Sequence, residues 1–216
     1  MRAYHLMSER WGLEAIRRKR LKSARFADLN DPFELLAADL TNRHQRSAFR
    51  SWKDQINDRY GVVCFSANWR SSLHWSHYGD KHHGLCLGFD LPDEKAVHVK
   101  YRRSRMTVST ESLDEATVMR LLSTKSDEWQ YEQETRIVVP LEEPDPSNGH
   151  FFVDFGTEEE GLVLREIVVG SLCSLTRRQL EDELEQAGLP SAGIRITKAR
   201  LAFRSYSIVT DRRGLR

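Results

Sequence analysis

The chain has 216 residues, 39% hydrophobic and 30% charged, enough apolar material for a real core and too much for long disordered stretches. Thirty-three basic residues against 32 acidic leave a formal charge of +1, which argues against a generic nucleic-acid coat protein with its large positive excess. No segment reaches the roughly 18 consecutive apolar residues of a membrane span and the first residues lack a signal-peptide core. The three cysteines, Cys64, Cys86 and Cys173, form no CxxC pair, so the expectation is one cytoplasmic domain over 1–216 with reduced thiols and no membrane association.

Residues 3–7 read as a first strand, followed by a helix that Ser8 caps and that runs to about residue 20, with Leu13 and Ile16 toward the core. A loop then leads to Asn30-Asp31-Pro32-Phe33-Glu34, where proline after an acid predicts a helix start. Phe49, Trp52 and Ile56 mark the buried stripe of a helix over 42–59. Gly61 to Ser66 is a strand by its β-branched and aromatic content, 71–79 a short helix or turn, and 84–90 a strand with Leu85, Leu87 and Phe89 on one face. Weaker strands are expected at 96–101 and 105–109, and Ser112 with Glu115 makes a capping box for a helix to about 123. Further strands are expected at 134–139, 151–155, 163–169 and 194–208. Before the last of these, Thr176 and Gln179 cap a helix that Gly188 ends. The order is strand, helices, then mostly strands: an α+β fold with a mixed, mostly antiparallel sheet and N-terminal helices.

Three polar clusters carry the chemistry this sequence offers. They are Tyr4-His5, then Ser66 with the downstream Trp75-Ser76-His77-Tyr78, then Trp129-Gln130-Tyr131-Glu132-Gln133-Glu134-Thr135-Arg136. In an extended strand Glu132, Glu134 and Arg136 share a face. Two adjacent carboxylates repel, so one tends to keep its proton while Arg136 holds the other ionised. Trp75 and Tyr78, three apart on a helical turn, form either a stacking wall or core packing. The histidines at 74 and 77 have a spacing that a metal tolerates, yet no HExxH pattern accompanies them, and no metal is expected. Lys100, Arg102, Arg103 and Arg105 form a basic patch that reads as solvated surface. No P-loop, GxGxxG or GxSxG element is present.

Read together, Tyr4-His5, Asn30-Asp-Pro-Phe-Glu34, Val63-Cys-Phe-Ser66, Trp75-Ser-His-Tyr78, Gly84-Leu-Cys-Leu-Gly-Phe89 and Lys125 with Trp129-Gln-Tyr-Glu-Gln-Glu-Thr-Arg136 resemble a bacterial family catalogued as domain of unknown function 2971, from residue 4 to about 208. Met7 stands where that resemblance leads one to expect a threonine. More loosely, the order of histidine, aromatic with serine, and late ExE is similar to ADP-ribosyltransferase-like folds with their split sheet. That similarity implies an NAD-consuming enzyme cleaving the nicotinamide–ribose bond, such as a bacterial toxin or phage-defence effector, with an unidentified acceptor. It implies that Glu134 is catalytic with Glu132 assisting, that His5, Tyr4 and Ser66 bind the cofactor, that Trp75 and Tyr78 wall the nicotinamide, and that Arg136 anchors Glu132 or meets the pyrophosphate. The alternatives are a non-catalytic sensor or interaction module, and a nucleotide- or nucleic-acid-binding protein using the aromatics and basic patches.

Overall fold

The computed structural model describes residues 1–108, 114–156 and 161–215. Along the chain run β1 (Arg2–Met7), α1 (Glu9–Arg18), β2 (Arg20–Arg25), α2 (Arg43–Arg59), β3 (Tyr60–Ser66), α3 (Ser72–Tyr78), β4 (Leu85–Asp90), β5 (Val97–His98), β6 (Lys100–Arg102), α4 (Glu115–Leu122), β7 (Thr124–Ser126), β8 (Glu134–Pro140), β9 (Phe151–Asp154), β10 (Val163–Val169), α5 (Arg177–Gln186), β11 (Arg195–Leu201) and β12 (Ile208–Thr210). Helices with a mixed, mostly antiparallel sheet make this an α+β fold. The chain divides into two compact units, one of Met1–Leu21, Phe65–Lys95 and Val153–Arg216, the other of Lys22–Cys64 and Ala96–Phe152.

In the first unit the strand order is β12-β11-β10-β4-β1. β1 and β10 both pair antiparallel with β4, β11 runs parallel to β10, and β12 turns back antiparallel on β11. The expected 194–208 strand is thus two strands, because residues 202–207 form a turn that reverses the chain. Every residue from Leu85 to Phe89 is buried, so β4 is covered on both faces rather than on the single face its alternation predicted. α1 packs on β4 and on α5, and Arg17 Nε donates to Glu183 Oε2 at 2.6 Å between the two helices. Local signals set the helix ends here. The Ser8 hydroxyl accepts from the Trp11 amide, and Thr176 and Gln179 satisfy each other's backbone N–H groups in a full capping box.

In the second unit β8 lies between β3 and β5, β2 pairs antiparallel with β3, and β6 pairs in parallel with β7. α2 buries Phe49 and Ile56 as its stripe predicts, while Trp52 is half-buried and meets Phe49 edge-on at 5.6 Å. Strand β2 lies where the sequence reads as a loop; its inward residues are Leu21 and Ser23, and a serine hides the period of two. Four expectations change here. Asp31-Pro32 begins a turn and not a helix, ending at Leu35 with φ 63. Residues 105–108 form no strand, and Met106 makes one bridge to Ala38. Ser112 lies outside the described residues, and α4 is capped by Asp114, whose side chain accepts from the Thr117 amide. Glu132 is not on a strand; it ends a 3-10 helix, and Gln133 in the left-handed region turns the chain into β8.

Gly84 shows how tightly β4 is seated. A methyl group there would clash with the Met7 carbonyl oxygen and lie 2.9 Å from that of Gly79, and neither backbone atom can move aside. Gly84→Ala is expected to lower unfolding free energy by about 1–3 kcal/mol in urea denaturation.

Candidate functional site

The densest group of ionisable side chains lies within the second unit. It begins at the turn over residues 31–35, where Asp31 Oδ1 accepts from the Phe33 amide at 2.9 Å. Asp31 is buried, and its Oδ2 has no hydrogen-bond partner among the described residues. This turn sends consecutive side chains opposite ways: Phe33 is 53% exposed, whereas Glu34 is 2% exposed.

Glu34 faces Arg136, 102 residues away in sequence. Arg136 has no exposure at all, and every one of its five N–H donors is used. Nε donates to Glu134 Oε1 at 2.6 Å and Nη2 to Glu134 Oε2 at 3.1 Å. The two Nη atoms grip both oxygens of Glu34, Nη2 at 2.9 Å, and Nη1 also donates to the Leu122 carbonyl at 3.0 Å. Glu134 then meets a second cation. Lys125 Nζ donates to Glu132 Oε2 at 2.7 Å and to Glu134 Oε2 at 3.4 Å, and lies 4.6 Å from the Trp129 ring centre. The Glu134 amide donates to the Tyr101 hydroxyl at 2.7 Å.

Burial alone would raise the Glu134 pKa, but the charge and hydrogen bonds of Arg136, with Lys125 behind them, hold it at about 2. Burial works to lower Lys125, and Glu134 and Glu132 outweigh it, so the ammonium is held charged more firmly than usual. Burial and the Glu134 charge push the Cys64 thiol well up. Burial pushes Tyr101 up to about 12. Near neutral pH, then, Glu134 is ionised, and the Cys64 thiol is protonated and a poor nucleophile.

A groove of about 200 Å3 opens over Lys125. The parallel register of β6 on β7 sets Tyr101 opposite Lys125 and Arg102 opposite Ser126, which brings the basic run 102–105 to its edge. Arg102, Arg103, Ser104 and Arg105 line it with Ser126, and Phe33 closes one side. Arg105 stacks over Phe33 at 5.2 Å and Arg103 Nε donates to Asp127 Oδ2 at 3.0 Å. Arg102 has no acidic partner among the described residues, and all three arginines are exposed. The arrangement suits an anion: planar guanidinium donors at the rim, the hydroxyl side chains of Ser104, Thr124 and Ser126, and an aromatic face.

Of the side chains singled out in the sequence, Glu132, Glu134 and Arg136 belong to this network. Tyr4, His5, Ser66, Trp75 and Tyr78 lie in the first unit. There, Tyr4 Oη donates to Glu166 Oε2 at 3.2 Å, and burial together with the Glu166 charge raises its pKa. The His5 ring rests 5.6 Å from Phe65. Ser66 is buried, and its hydroxyl donates to the Asn68 carbonyl at 2.8 Å, closing the turn after β3. Trp75 is 0% exposed, donates Nε1–H to the Trp69 carbonyl at 2.6 Å and stacks on His82. It has no free face to offer a ligand, and with Tyr4 and Tyr78 it packs in one core cluster. Among the described residues no group of three or more His, Cys, Asp and Glu is placed to hold a metal ion, and no helix is long and apolar enough to cross a membrane.

In the sequence Glu34 reads as part of a helix start and the arginines of 102–105 as plain surface. The buried partner of Glu34 has no local signature, but the exposed basic run beside β6 was visible as composition.

Residues 74–137 match the family described as Protein of unknown function (DUF2971). The match supports the resemblance to that family, and takes in most of α3, the groove arginines, Lys125, Glu132, Glu134 and Arg136; Tyr4-His5, Asn30–Glu34 and Ser66 lie outside the matched residues. No curated protein and no solved structure matches the chain.

Two outcomes follow from the network. Arg136→Leu leaves Glu34 and Glu134 buried against one cation fewer and is expected to lose about 3–5 kcal/mol of stability. Arg136→Lys is expected to rescue little of it, since a single ammonium cannot serve two carboxylates bidentately. The second concerns pH. Because the folded pKa of Glu134 is depressed from 4.5 to about 2, its contribution is present above about 4.5 and lost as pH falls toward 2. Glu134→Gln should be less stable at neutral pH yet lose less further stability across that interval, measured by urea denaturation at stepped pH.

Proposed function

We propose that this protein binds NAD in the basic groove of the second unit and consumes it by ADP-ribosyltransferase-like cleavage of the nicotinamide–ribose bond, nicotinamide leaving as the ribose C1′ bonds to water or to another nucleophilic acceptor. The observation that carries the reading is the placement of Arg102, Arg103 and Arg105 at the rim of a groove that Lys125 lines while holding Glu132 and Glu134. Guanidinium forks are the fitting partner for a pyrophosphate, and exposed Phe33 offers a face for one base. A volume of about 200 Å3 is below that of a pocket enclosing a whole drug-sized ligand, so the groove takes the phosphates and part of a nucleoside, with the rest in solvent.

Bond cleavage builds positive charge on the ribose, and a carboxylate that stays ionised stabilises that charge more in the transition state than in the ground state. Glu134 meets the first condition through its low pKa. Its oxygens are, however, turned to Arg136 and Lys125. In this reading a phosphate entering the groove gives Lys125 a third anionic partner and loosens its hold on Glu132 and Glu134. The same saturation of Glu134 favours the second reading, a sensor module that binds the nucleotide without cleaving it.

Incubation of the pure protein with NAD, followed by chromatography for free nicotinamide, decides between them. The expected result is nicotinamide release that Glu134→Gln lowers by at least about a hundredfold, the usual scale for a lost transition-state charge partner. Binding of NAD without release supports the sensor, and no binding overturns the proposal. Arg102→Gln with Arg105→Gln should weaken NAD binding by about tenfold or more in calorimetry, since hydrogen bonds to charged groups contribute about 1.5–3 kcal/mol each.

A further inference from the structure

The first unit carries a second basic surface. Between Glu185 and Asp211 the chain has no acidic residue, while Arg195, Lys198, Arg200 and Arg204 fall in that stretch. It contains the β11–β12 hairpin, whose base is pinned from two sides: the Ala202 amide donates to the Ser207 carbonyl at 3.0 Å and the Ile208 amide to the Arg70 carbonyl at 2.9 Å. On this anchored turn Phe203 is 91% and Tyr206 101% exposed, so neither ring is covered by the protein. Arg204 sits between them in sequence, Arg200 lies 4.4 Å from the Phe203 ring centre, and Arg70 stacks at 4.9 Å on Trp69. A hollow of about 460 Å3 is lined by Ser72, Leu201, Phe203, Arg204 and Tyr206.

We infer that this hairpin is a docking surface for single-stranded nucleic acid, with unpaired bases stacking on Phe203 and Tyr206 and phosphates meeting Arg70, Arg200 and Arg204. Three features of the patch select that occupant. Aromatic rings alternating with cations match a polymer that alternates planar bases with anions, and stacking on a ring needs no base sequence. A second copy of the chain about a two-fold axis would set these arginines against their own equivalents. An anionic membrane would use the same charges, but Phe203, Tyr206 and Leu201 are a small apolar area beside the large apolar face of membrane-binding helices. The chain as a whole has a formal charge of only +1, so attraction for an anionic polymer comes from local patches such as this one.

The test is fluorescence anisotropy of a short labelled single strand, with the matching duplex and anionic phosphatidylserine vesicles as comparison ligands and salt varied. Single strand is expected to bind more tightly than duplex, with affinity falling as salt rises. Phe203→Ala with Tyr206→Ala should weaken it by about tenfold or more, the scale of lost base stacking. Both rings are solvent-exposed, so this variant should melt like the wild type, and a matched melting curve accompanies each titration. Arg200→Gln with Arg204→Gln should weaken binding and reduce the salt slope by up to about two. Equal binding of duplex, a ring-deleted variant that binds like the wild type, or capture by vesicles in place of the single strand overturns the inference. So does a dimer that the ring substitutions dissolve.

Discussion

A fully buried guanidinium has to place five donors without help from water, and the second unit is arranged so that Arg136 does so. Glu34, Glu134 and the Leu122 carbonyl receive them. These three partners come from the turn over 31–35, from β8 itself and from the end of α4. A buried ion pair contributes little net stability against a well-packed apolar replacement, because desolvating the charges offsets their attraction. Its effect is on specificity: a shift of β8 by one residue would send Arg136 and Glu134 together to the other face and strand the buried Glu34 carboxylate without its partner. The same constraint explains why Phe33 stands out in solvent, since the turn that buries Glu34 must point its neighbour away.

Lys125 joins this network to the surface. Inside, three carboxylates face two cations, Arg136 and Lys125. Outside, Arg102, Arg103 and Arg105 are exposed; Arg103 pairs with Asp127, and the Thr41 hydrogen bonds, helped by the Arg105 charge, lower the Asp39 pKa. Positive charge without enough internal partners at a groove rim is what makes an anionic ligand the economical reading of this site, and the buried carboxylates behind Lys125 are what keep a chemical role open for it. The hairpin between β11 and β12 is a different kind of surface, with Phe203 and Tyr206 exposed and Arg200 over the Phe203 ring.

Much of the secondary structure is legible from near neighbours. Ser8, Asn42 and the Thr176–Gln179 pair cap the helices that follow them, and Phe49 with Ile56 marks the buried side of α2. The failures have specific causes. Ser23 disguised β2 because a small polar residue faces inward there. Asp31-Pro32 looks like a helix start because the motif satisfies the first turn of a helix as well as it satisfies the turn found, which Leu35 ends in the left-handed region. Trp75 and Tyr78 carry the same helical spacing whether they wall a pocket or pack in a core, and spacing alone cannot choose between the two.

The sequence by itself determined that this is an α+β chain with a charged segment at 132–136 and a basic run at 102–105. Those are properties of residue order within a few positions, where caps, periodicity and strand propensity act. Tertiary structure alone decided that Glu34 answers Arg136 across 102 residues, that Lys125 lies between two glutamates, and that Trp75 is sealed in a core. Burial and ion pairing depend on which distant segments the packed strands bring together. A carboxylate reads the same in sequence whether water or a guanidinium surrounds it.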